Sequence, residues 1–430
     1  MANVKISELP AATSNAAADI FVCNQSGTTR RSTLTLLTDL LYGGTNGNTK
    51  FGDNALDALT TGLYNTAFGV DALKSATTAQ GCTAVGINAL ELNVGTPAGN
   101  NNTGVGFNAL AVNVTGDNNT ALGWGALATS DNDENTAVGA GTFQNLPTGT
   151  NRRNTAVGVY AGQTMTSGSS NVLIGYNAGQ ALTTASNNVA IGATALDAGT
   201  TVTGTVAIGS GALTANTTAD DNVAVGLNAL ATSITGTSLT ATGTQALLNS
   251  TGDENTAFGY RAGEGNTTGN QNTYLGATTG LTNPTTGSNN TLVGYTAAPS
   301  AAGVSNEVTI GNGSVATTRV QVDWTILSDG NDKVDVRDLD IGLDFIKRLR
   351  PRKGGLLPRG STWKEPLKMP FMVAQEVLAA ELAHGCREDT RLVNNTNPNR
   401  LEWTPGRMIP ILVKAIQDLS DEVELLKAGA

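Results

Sequence analysis

Small, apolar and polar residues recur in a fixed order between residues 43 and 313. The order is Asn, Thr or Val, Ala, an apolar residue and Gly, as in residues 65–69 (NTAFG), 188–192 (NVAIG) and 255–259 (NTAFG). Neighbouring glycines of this pattern are mostly 17 residues apart, with spacings between 16 and 20. These glycines are Gly52, Gly69, Gly86, Gly106, Gly123, Gly139, Gly158, Gly175, Gly192, Gly209, Gly226, Gly243, Gly259, Gly276, Gly294 and Gly311. Such a period, repeated sixteen times, indicates stacked units and is too short for paired helices.

Each unit predicts one coil of a parallel β-solenoid. Residues two apart share a face of a strand, so we expect Thr66 and Phe68 to point inward and Ala67 outward. The glycine permits a bend, and the Ala-Leu pair after it, as at Ala72 and Leu73, is expected to start a second short strand. Sixteen coils stacked at ~4.8 Å predict a shaft of roughly 75 Å. One coil buries little apolar surface, so we expect three chains to associate laterally.

Charge divides the chain into parts. Residues 43–313 carry 5 basic and 15 acidic groups, whereas the last 117 residues carry 17 of each. The net charge of −10 therefore lies in the repeats and argues against nucleic acid as a partner. We expect an N-terminal particle-attachment module at 1–42, a β-roll repeat shaft at 43–313, a connecting stem at 314–327 and a C-terminal domain at 328–430.

The end of the chain carries a heptad seam about three heptads long. Its apolar residues follow intervals of 3, 4, 3, 4 and 3: Ile409, Leu412, Ile416, Leu419, Val423 and Leu426. The alternation of isoleucine with leucine is compatible with a dimer or a trimer. A seam this short is marginal alone, so we expect it to pack against the preceding domain. The predicted fold class is mainly β, an elongated homotrimeric parallel β-roll or β-solenoid followed by an α+β domain that ends in a short coiled coil.

Conventional catalytic and metal sites find little support in the composition. His384 is the lone histidine, and the three cysteines, Cys23, Cys82 and Cys386, are too far apart for a disulfide framework. Cys82 replaces the Asn of its repeat and is expected at a turn as a free thiol. We expect no cofactor and no metal. Residues 1–20 lack the features of a signal peptide, and no apolar run reaches the ~20 residues of a membrane span.

The repeats resemble the head repeats of trimeric autotransporter adhesins, whose Asn-Ser-Val-Ala-Ile-Gly units build a trimeric left-handed parallel β-roll. The resemblance covers about residues 48–313. Similar rolls also occur in phage fibres, and an autotransporter would need a signal peptide. The resemblance therefore implies a trimeric fibre rather than an autotransporter.

Four blocks in the last 103 residues carry a second resemblance. They are Ser328 with Lys333, residues 342–351 (GLDFIKRLRP), residues 373–377 (VAQEV) and residues 408–419 (MIPILVKAIQDL). The order of these blocks is similar to the C-terminal intramolecular chaperone domain of phage endosialidases, tailspikes and tail fibres. The resemblance implies a domain that trimerises, guides assembly of the β-rich shaft and releases itself by cleaving the bond between Leu327 and Ser328. It assigns the nucleophile to Ser328 and the base to Lys333.

The chemistry of this dyad leaves both outcomes open. A serine hydroxyl needs a base to remove its proton, and a lysine serves only when its pKa is lowered towards neutrality. The family usually shows Ser-Asp-x-Arg-x-Lys, whereas Asn331 replaces the arginine here. The neighbouring carboxylates of Asp329, Asp332 and Asp335 favour a protonated lysine. Single-turnover self-cleavage is the only enzymatic activity that we expect, with no external substrate.

The N-terminal residues 5–10 (KISELP) are similar to the openings of phage fibre proteins, where this part attaches to the particle. Residues 18–22 and 30–34 predict short strands. The resemblances together imply a structural virion protein of a phage tail, assembled in the host cytoplasm. Its function would be that of a tail fibre or tailspike-like adhesin that binds a host surface glycan. The implied partners are two further copies, other tail proteins and the host receptor, without nucleic acid and without membrane insertion.

Two alternatives remain at this level. The first is a tailspike depolymerase that degrades capsule or lipopolysaccharide, which needs two carboxylates at a working separation. The candidates, which are also the candidates for a cation, are the acidic turn residues Asp131, Asp133, Glu134, Asp220, Asp221, Asp253 and Glu254, although acidic residues are common in turns. The second alternative is an ice-binding solenoid, which needs a flat face of ranked Thr, whereas we expect mostly Ala to point outward.

Overall fold

The computed structural model describes residues 20–22, 30–32, 46–94, 99–147, 152–281, 286–315, 338–356, 367–394 and 401–429. Near the N-terminus, strand β1 (Ile20–Val22) pairs antiparallel with β2 (Arg30–Ser32). Both strands lie where the sequence predicts short strands.

Sixteen three-residue strands form one parallel sheet, ordered as they occur along the chain. They are β3 Thr49–Phe51, β4 Thr66–Phe68, β5 Thr83–Val85, β6 Thr103–Val105, β7 Thr120–Leu122, β8 Thr136–Val138, β9 Thr155–Val157, β10 Val172–Ile174, β11 Val189–Ile191, β12 Val206–Ile208, β13 Val223–Val225, β14 Thr240–Thr242, β15 Thr256–Phe258, β16 Thr273–Leu275, β17 Thr291–Val293 and β18 Val308–Ile310. Equivalent residues of neighbouring coils pair directly, as Ala190 does with Ala207. The predicted parallel solenoid is confirmed, with about 15 turns.

The strand side chains point the opposite way from the sequence expectation. Ala190, at the centre of β11, is fully buried, while Val189 and Ile191 on either side are partly exposed. The orientation of the strand side chains is set by the residue before the strand, Asn188, which is fully buried. Alternation along a strand then brings Ala190, two residues later, to the inside as well. The expectation that the bulky residues point inward was wrong by one residue.

The second strand predicted for each coil is a turn. Leu196 and Leu213 are fully buried, but their φ angles of 55° and 52° lie in the left-handed region. The backbone N–H of Leu196 still donates to the carbonyl of Ala212 in the next coil, at 3.0 Å. Each coil therefore has one strand, and a leucine or another apolar residue from a tight turn fills its core. The tight turn lets the chain close a coil within about 17 residues.

Buried asparagines stack into a ladder inside the solenoid. They are Asn48, Asn65, Asn102, Asn119, Asn135, Asn154, Asn171, Asn188, Asn222, Asn255, Asn272 and Asn290. Cys82 takes one position of this ladder, where its backbone N–H donates to Asn65 Oδ1 at 3.0 Å. The thiol is therefore free, as expected, but it is buried in the ladder and does not lie in a turn. Burial raises the pKa of the Cys82 thiol.

The C-terminal residues form a separate small core. Its elements are α1 Leu343–Ile346, β19 Arg352–Leu356, β20 Leu367–Phe371, α2 Ala374–His384, α3 Arg387–Thr390, β21 Val393–Asn394, β22 Glu402–Trp403 and α4 Met408–Ala428. The buried side chains Phe345, Val377, Val393 and Ile411 bring α1, α2, β21 and α4 together. Within the described part of the chain, no helix is long and apolar enough to cross a membrane.

Candidate functional site

The most extensive candidate site is the outer sheet face, which consists of the first and third residues of strands β3–β18. The first positions hold eleven threonines and five valines: Thr49, Thr66, Thr83, Thr103, Thr120, Thr136, Thr155, Val172, Val189, Val206, Val223, Thr240, Thr256, Thr273, Thr291 and Val308. The third positions are apolar except for Thr242: Phe51, Phe68, Val85, Val105, Leu122, Val138, Val157, Ile174, Ile191, Ile208, Val225, Thr242, Phe258, Leu275, Val293 and Ile310. With strands ~4.8 Å apart, this face is roughly 70 Å long.

The outer sheet face is uncharged, and its mostly apolar third positions are exposed or partly exposed. Phe68 is 53% exposed and stacks on Phe51, with ring centroids 4.8 Å apart and an angle of 14° between the rings. Phe258 and Ile310 are 60% and 55% exposed. None of the 32 positions of the face carries an ionisable side chain. The third positions form a row of apolar side chains that is interrupted only by Thr242, and an exposed apolar row of this length marks an interaction surface.

A second apolar rank, the flank rank, adjoins the outer sheet face at the residue after each glycine. Its exposed members are Val70, Ile87, Phe107, Trp124, Val159, Tyr176, Leu227, Tyr260 and Tyr295. The chain bends at the intervening glycine, for example at Gly123 with φ of 139°. This rank was not predicted from the sequence, although an apolar residue follows the glycine directly in many repeats and was a signal for it.

The predicted trimerisation seam lies along one side of α4 and is left largely exposed by the described residues of its own domain. Its six residues, Ile409, Leu412, Ile416, Leu419, Val423 and Leu426, are between 40% and 74% exposed. The helix packs on its domain through Met408, Ile411 and Ala415, which lie on another side. Among the described residues, the contact between α4 and its domain is made by these three residues and not by the seam.

The acidic turn residues hold neighbouring coils together. Asp133 Oδ1 accepts the backbone N–H of Asp117 at 3.0 Å, and Asp253 Oδ1 accepts that of Thr237 at 2.9 Å. Glu134 forms an ion pair with Arg153 at 2.9 Å. Across the described residues, no group of three or more His, Cys, Asp and Glu side chains forms a candidate metal site. These contacts give the carboxylates a structural role in the turns.

The predicted self-cleavage residues Leu327, Ser328 and Lys333 lie outside the described residues. The self-cleavage hypothesis therefore stays a prediction from the sequence. His384, in contrast, is the last residue of α2 and meets the ring of Phe345 edge-on, with centroids 5.6 Å apart. This position gives the histidine a packing role between α1 and α2.

Comparisons with protein-family models, curated proteins and solved structures gave no match for this chain. The inferences about its function therefore depend on the two apolar surfaces of the solenoid and on the exposed seam of α4.

Proposed function

We propose that the chain is a homotrimeric structural protein of a phage tail, a fibre or tailspike-like adhesin that binds a host surface glycan. The observation that carries the self-association is the uncharged outer sheet face with its row of apolar third positions, whereas the phage tail and the glycan follow from the sequence resemblances. Covering it in a complex removes exposed valine, isoleucine, leucine and phenylalanine side chains from water, at about 25 cal/mol for each Å² of apolar surface. The exposed seam of α4 supplies a second self-association surface in the same chain.

The arrangement of the outer sheet face beside the flank rank favours three chains over two. A two-fold dimer needs one self-complementary patch, whereas a closed ring joins two different patches of each chain. The outer sheet face and the flank rank are two such adjoining patches, separated by the glycine bends. In the trimer that we propose, the outer sheet face of one chain contacts the flank rank of the next.

The C-terminal domain has a kinetic role in this proposal. Parallel contacts between distant residues form slowly, and exposed strand edges invite misassembly. A helical seam assembles faster and brings three chains together before the solenoids meet. Release of the domain between Leu327 and Ser328 is a separate step, tested by the denatured mass of the fresh protein beside Ser328→Ala. A fragment near residues 1–327 in the unaltered protein alone supports the dyad.

The trimer is tested by placing one charge on the outer sheet face. Ile208→Asp puts a carboxylate at a position that three chains desolvate, so we expect its trimers to dissociate or to assemble poorly. Thr201→Asp adds the same charge to an exposed turn of the same coil and should leave assembly intact. The readout is the mass in solution by sedimentation or light scattering. A monomeric unaltered protein contradicts the proposed assembly, and a dimer contradicts its three-fold symmetry.

Incubation with host polysaccharide separates the adhesin from the depolymerase. Binding without shortening of the polysaccharide supports the adhesin, whereas shortened chains support the enzyme. The hydrogen bonds of the acidic turn residues favour the adhesin, because these carboxylates already serve the stacking of coils.

Ice binding stays a second candidate, because the expectation that mostly Ala points outward was wrong. The outward residues are not mostly Ala, since eleven of the sixteen first strand positions are threonines. The third positions count against a flat ice-binding array, because phenylalanine, valine, leucine and isoleucine there differ in height. Thermal hysteresis of the purified protein is the measurement that supports ice binding over our proposal.

A further inference from the structure

The second half of α4 is an arm without packing partners among the described residues. Every residue from 419 to 429 is exposed. Its ten helical residues extend about 15 Å and include Leu419, Val423 and Leu426 of the seam. A short helix with no partner is marginal in water. The first half of α4 is held to the domain, where Asp418 Oδ2 accepts the backbone N–H of Leu343 at 3.0 Å.

The solenoid alone specifies its alignment between chains poorly. Seven consecutive first positions are threonine, from Thr49 to Thr155, and the next four are valine, from Val172 to Val223. A slip of one chain by one coil, ~4.8 Å, leaves nearly the same side chains opposite each other. A unique alignment therefore needs an element that does not repeat with the coils.

Charges beside the seam of α4 supply such an element. With Ile409, Ile416 and Val423 at the a positions and the leucines at d, Glu422 takes a g position and Lys427 the following e position. In parallel helices, a g residue lies beside the e residue five positions on in the next helix. Glu422 of one chain then meets Lys427 of its neighbour. Within the described part of its own chain, Lys427 forms an ion pair of 3.0 Å with the exposed Glu424, a kind of contact that contributes little.

In an antiparallel arrangement, neither Glu422 nor Lys427 meets an opposite charge of the partner helix. With full overlap, Ile409 of one helix shares a layer with Leu426 of the other, and Ile416 with Leu419. Glu422 then lies opposite Ala415, and Lys427 extends beyond the end of the partner helix. Ala415 is also buried against its own domain, so the arm of a second chain has little access to it.

We propose that the α4 arms of neighbouring copies associate in parallel and in register, and that the Glu422–Lys427 pair between chains specifies this alignment. The partner is a second copy of this chain, so the inference rests on the self-association proposed above. The inference adds the orientation of the chains and the residues that set it.

Charge reversal tests the pair. Glu422→Lys and Lys427→Glu each replace attraction by repulsion at every helix contact, and we expect each to raise the dissociation midpoint concentration about tenfold or more. The double variant Glu422→Lys with Lys427→Glu restores opposite charges and should recover most of the loss. Asp421→Lys, at the exposed f position on the side of α4 away from the seam, makes the same change of charge and is the matched control that should change little. Equal behaviour of all four variants would overturn the proposed pair.

Disulfide trapping tests the orientation in the full-length protein, on a Cys23→Ser background because Cys82 and Cys386 are buried. Leu426→Cys should cross-link to itself on mild oxidation, since parallel helices place both sulfurs in one layer. A mixture of Ile409→Cys and Leu426→Cys chains should give no cross-link between the two variants. The opposite pattern shows antiparallel helices and overturns the inference while leaving self-association intact. A monomeric protein without cross-links instead contradicts the self-association itself.

Discussion

Asn188 is held to Asn171 of the preceding coil through a single oxygen. Asn171 Oδ1 accepts hydrogen bonds from the backbone N–H and from the side-chain amide of Asn188, both at 3.1 Å. The amide of Asn188 also donates to the carbonyl of Val202 at 2.7 Å. One side chain thus satisfies buried polar groups of its own coil and of its neighbour. The ladder therefore links the coils as well as filling their interior.

Removing one step of the ladder should destabilise the solenoid. Asn171→Ala leaves the buried backbone N–H of Asn188 without its acceptor, at a cost of about 1–3 kcal/mol for an unsatisfied group, while the amide keeps the carbonyl of Val202. We expect the free energy of unfolding in urea to fall by this amount. Asn249→Ala, at an exposed position, should change it by less than about 0.5 kcal/mol. Equal effects of the two variants would show that the ladder contributes nothing specific.

The glycine after each strand should tolerate no side chain. Gly192 has φ of 136°, and a Cβ there would lie 2.5 Å from the carbonyl carbon and oxygen of Gly209. Both neighbours are backbone atoms, so Gly192→Ala should cost about 3 kcal/mol or more.

Gly303→Ala is the matched control for this substitution. Gly303 also has a positive φ, of 74°, but among the described residues its Cβ would meet the hydroxyl of Thr286 alone, at 3.2 Å. We expect a loss of about 1 kcal/mol, from backbone strain alone. Urea unfolding of both variants provides the comparison, and equal losses would mean that the close approach between coils is unimportant.

The sequence predicted the architecture of the solenoid but not the phase of its strands, that is, which side chains of each strand point inward. The 17-residue period fixes which residues stack, so the parallel sheet and its pairing follow from it directly. The inward side is decided by Asn188 and its equivalents, and asparagine is usually a surface residue. Its burial becomes favourable only because the coil before it and the coil after it satisfy its amide, and that relationship exists only between stacked coils.

The candidate sites were predictable to different degrees, depending on whether their pattern is local or arises only between stacked coils. The seam from Ile409 to Leu426 is a local pattern on one helix, so its residues could be named from spacing alone. The exposed outer sheet face could not be recognised, because the phase error assigned Val189 and Ile191 to the interior. With the observed orientation, Val189, Ile191 and their equivalents lie on an interaction surface and not in the core.

A carboxylate in a ladder of glutamines should make the solenoid sensitive to pH. Gln180 Nε2 donates to Gln163 Oε1 at 3.0 Å, and Gln163 Nε2 donates to Gln144 Oε1 at 3.2 Å. Asp197 takes the next position, 17 residues after Gln180, and its Oδ1 is buried without a hydrogen-bond partner among the described residues. Burial raises the pKa of Asp197, because it disfavours the charged carboxylate. The folded state therefore prefers the protonated form.

The sign of the pH dependence follows from the raised pKa of Asp197. Its contribution to stability is fully present below the ordinary aspartate pKa of about 3.9 and is lost as the pH rises through the raised value in the folded state. Asp197→Asn should remove this dependence and stabilise the solenoid at neutral pH by about 0.5–1.5 kcal/mol, the net value of one hydrogen bond. Asp220→Asn is the control, since Asp220 accepts the N–H of Thr203 at 2.7 Å in an exposed turn and asparagine keeps that acceptor. A loss of stability in Asp197→Asn at neutral pH would contradict the burial argument.

The C-terminal domain should depend on one buried carboxylate. Glu381 in α2 is fully buried, and its Oε1 accepts the hydroxyl of Thr390 and the backbone N–H of Leu392, both at 2.6 Å. Its Oε2 pairs with Arg387 at 3.2 Å, and the same guanidinium donates to the carbonyl of Val393 at 2.6 Å. Glu381 therefore joins α2 to α3 and β21 through both of its oxygens.

Glu381→Ala leaves the guanidinium of Arg387 without its carboxylate and removes the acceptor for Thr390 and Leu392. Breaking a buried ion pair from one side costs about 3–5 kcal/mol, so we expect a loss of this size in the free energy of unfolding of the domain. Glu381→Gln keeps an oxygen for Thr390 and Leu392 and should lose less than Glu381→Ala. The readout is helical circular dichroism, because every described α-helix lies in this domain. Glu388→Ala, which removes an exposed partner of Arg391, should change stability by less than about 0.5 kcal/mol. A domain that tolerates Glu381→Ala as well as it tolerates Glu388→Ala does not depend on this network, and its cohesion must then come from the apolar contacts around Phe345.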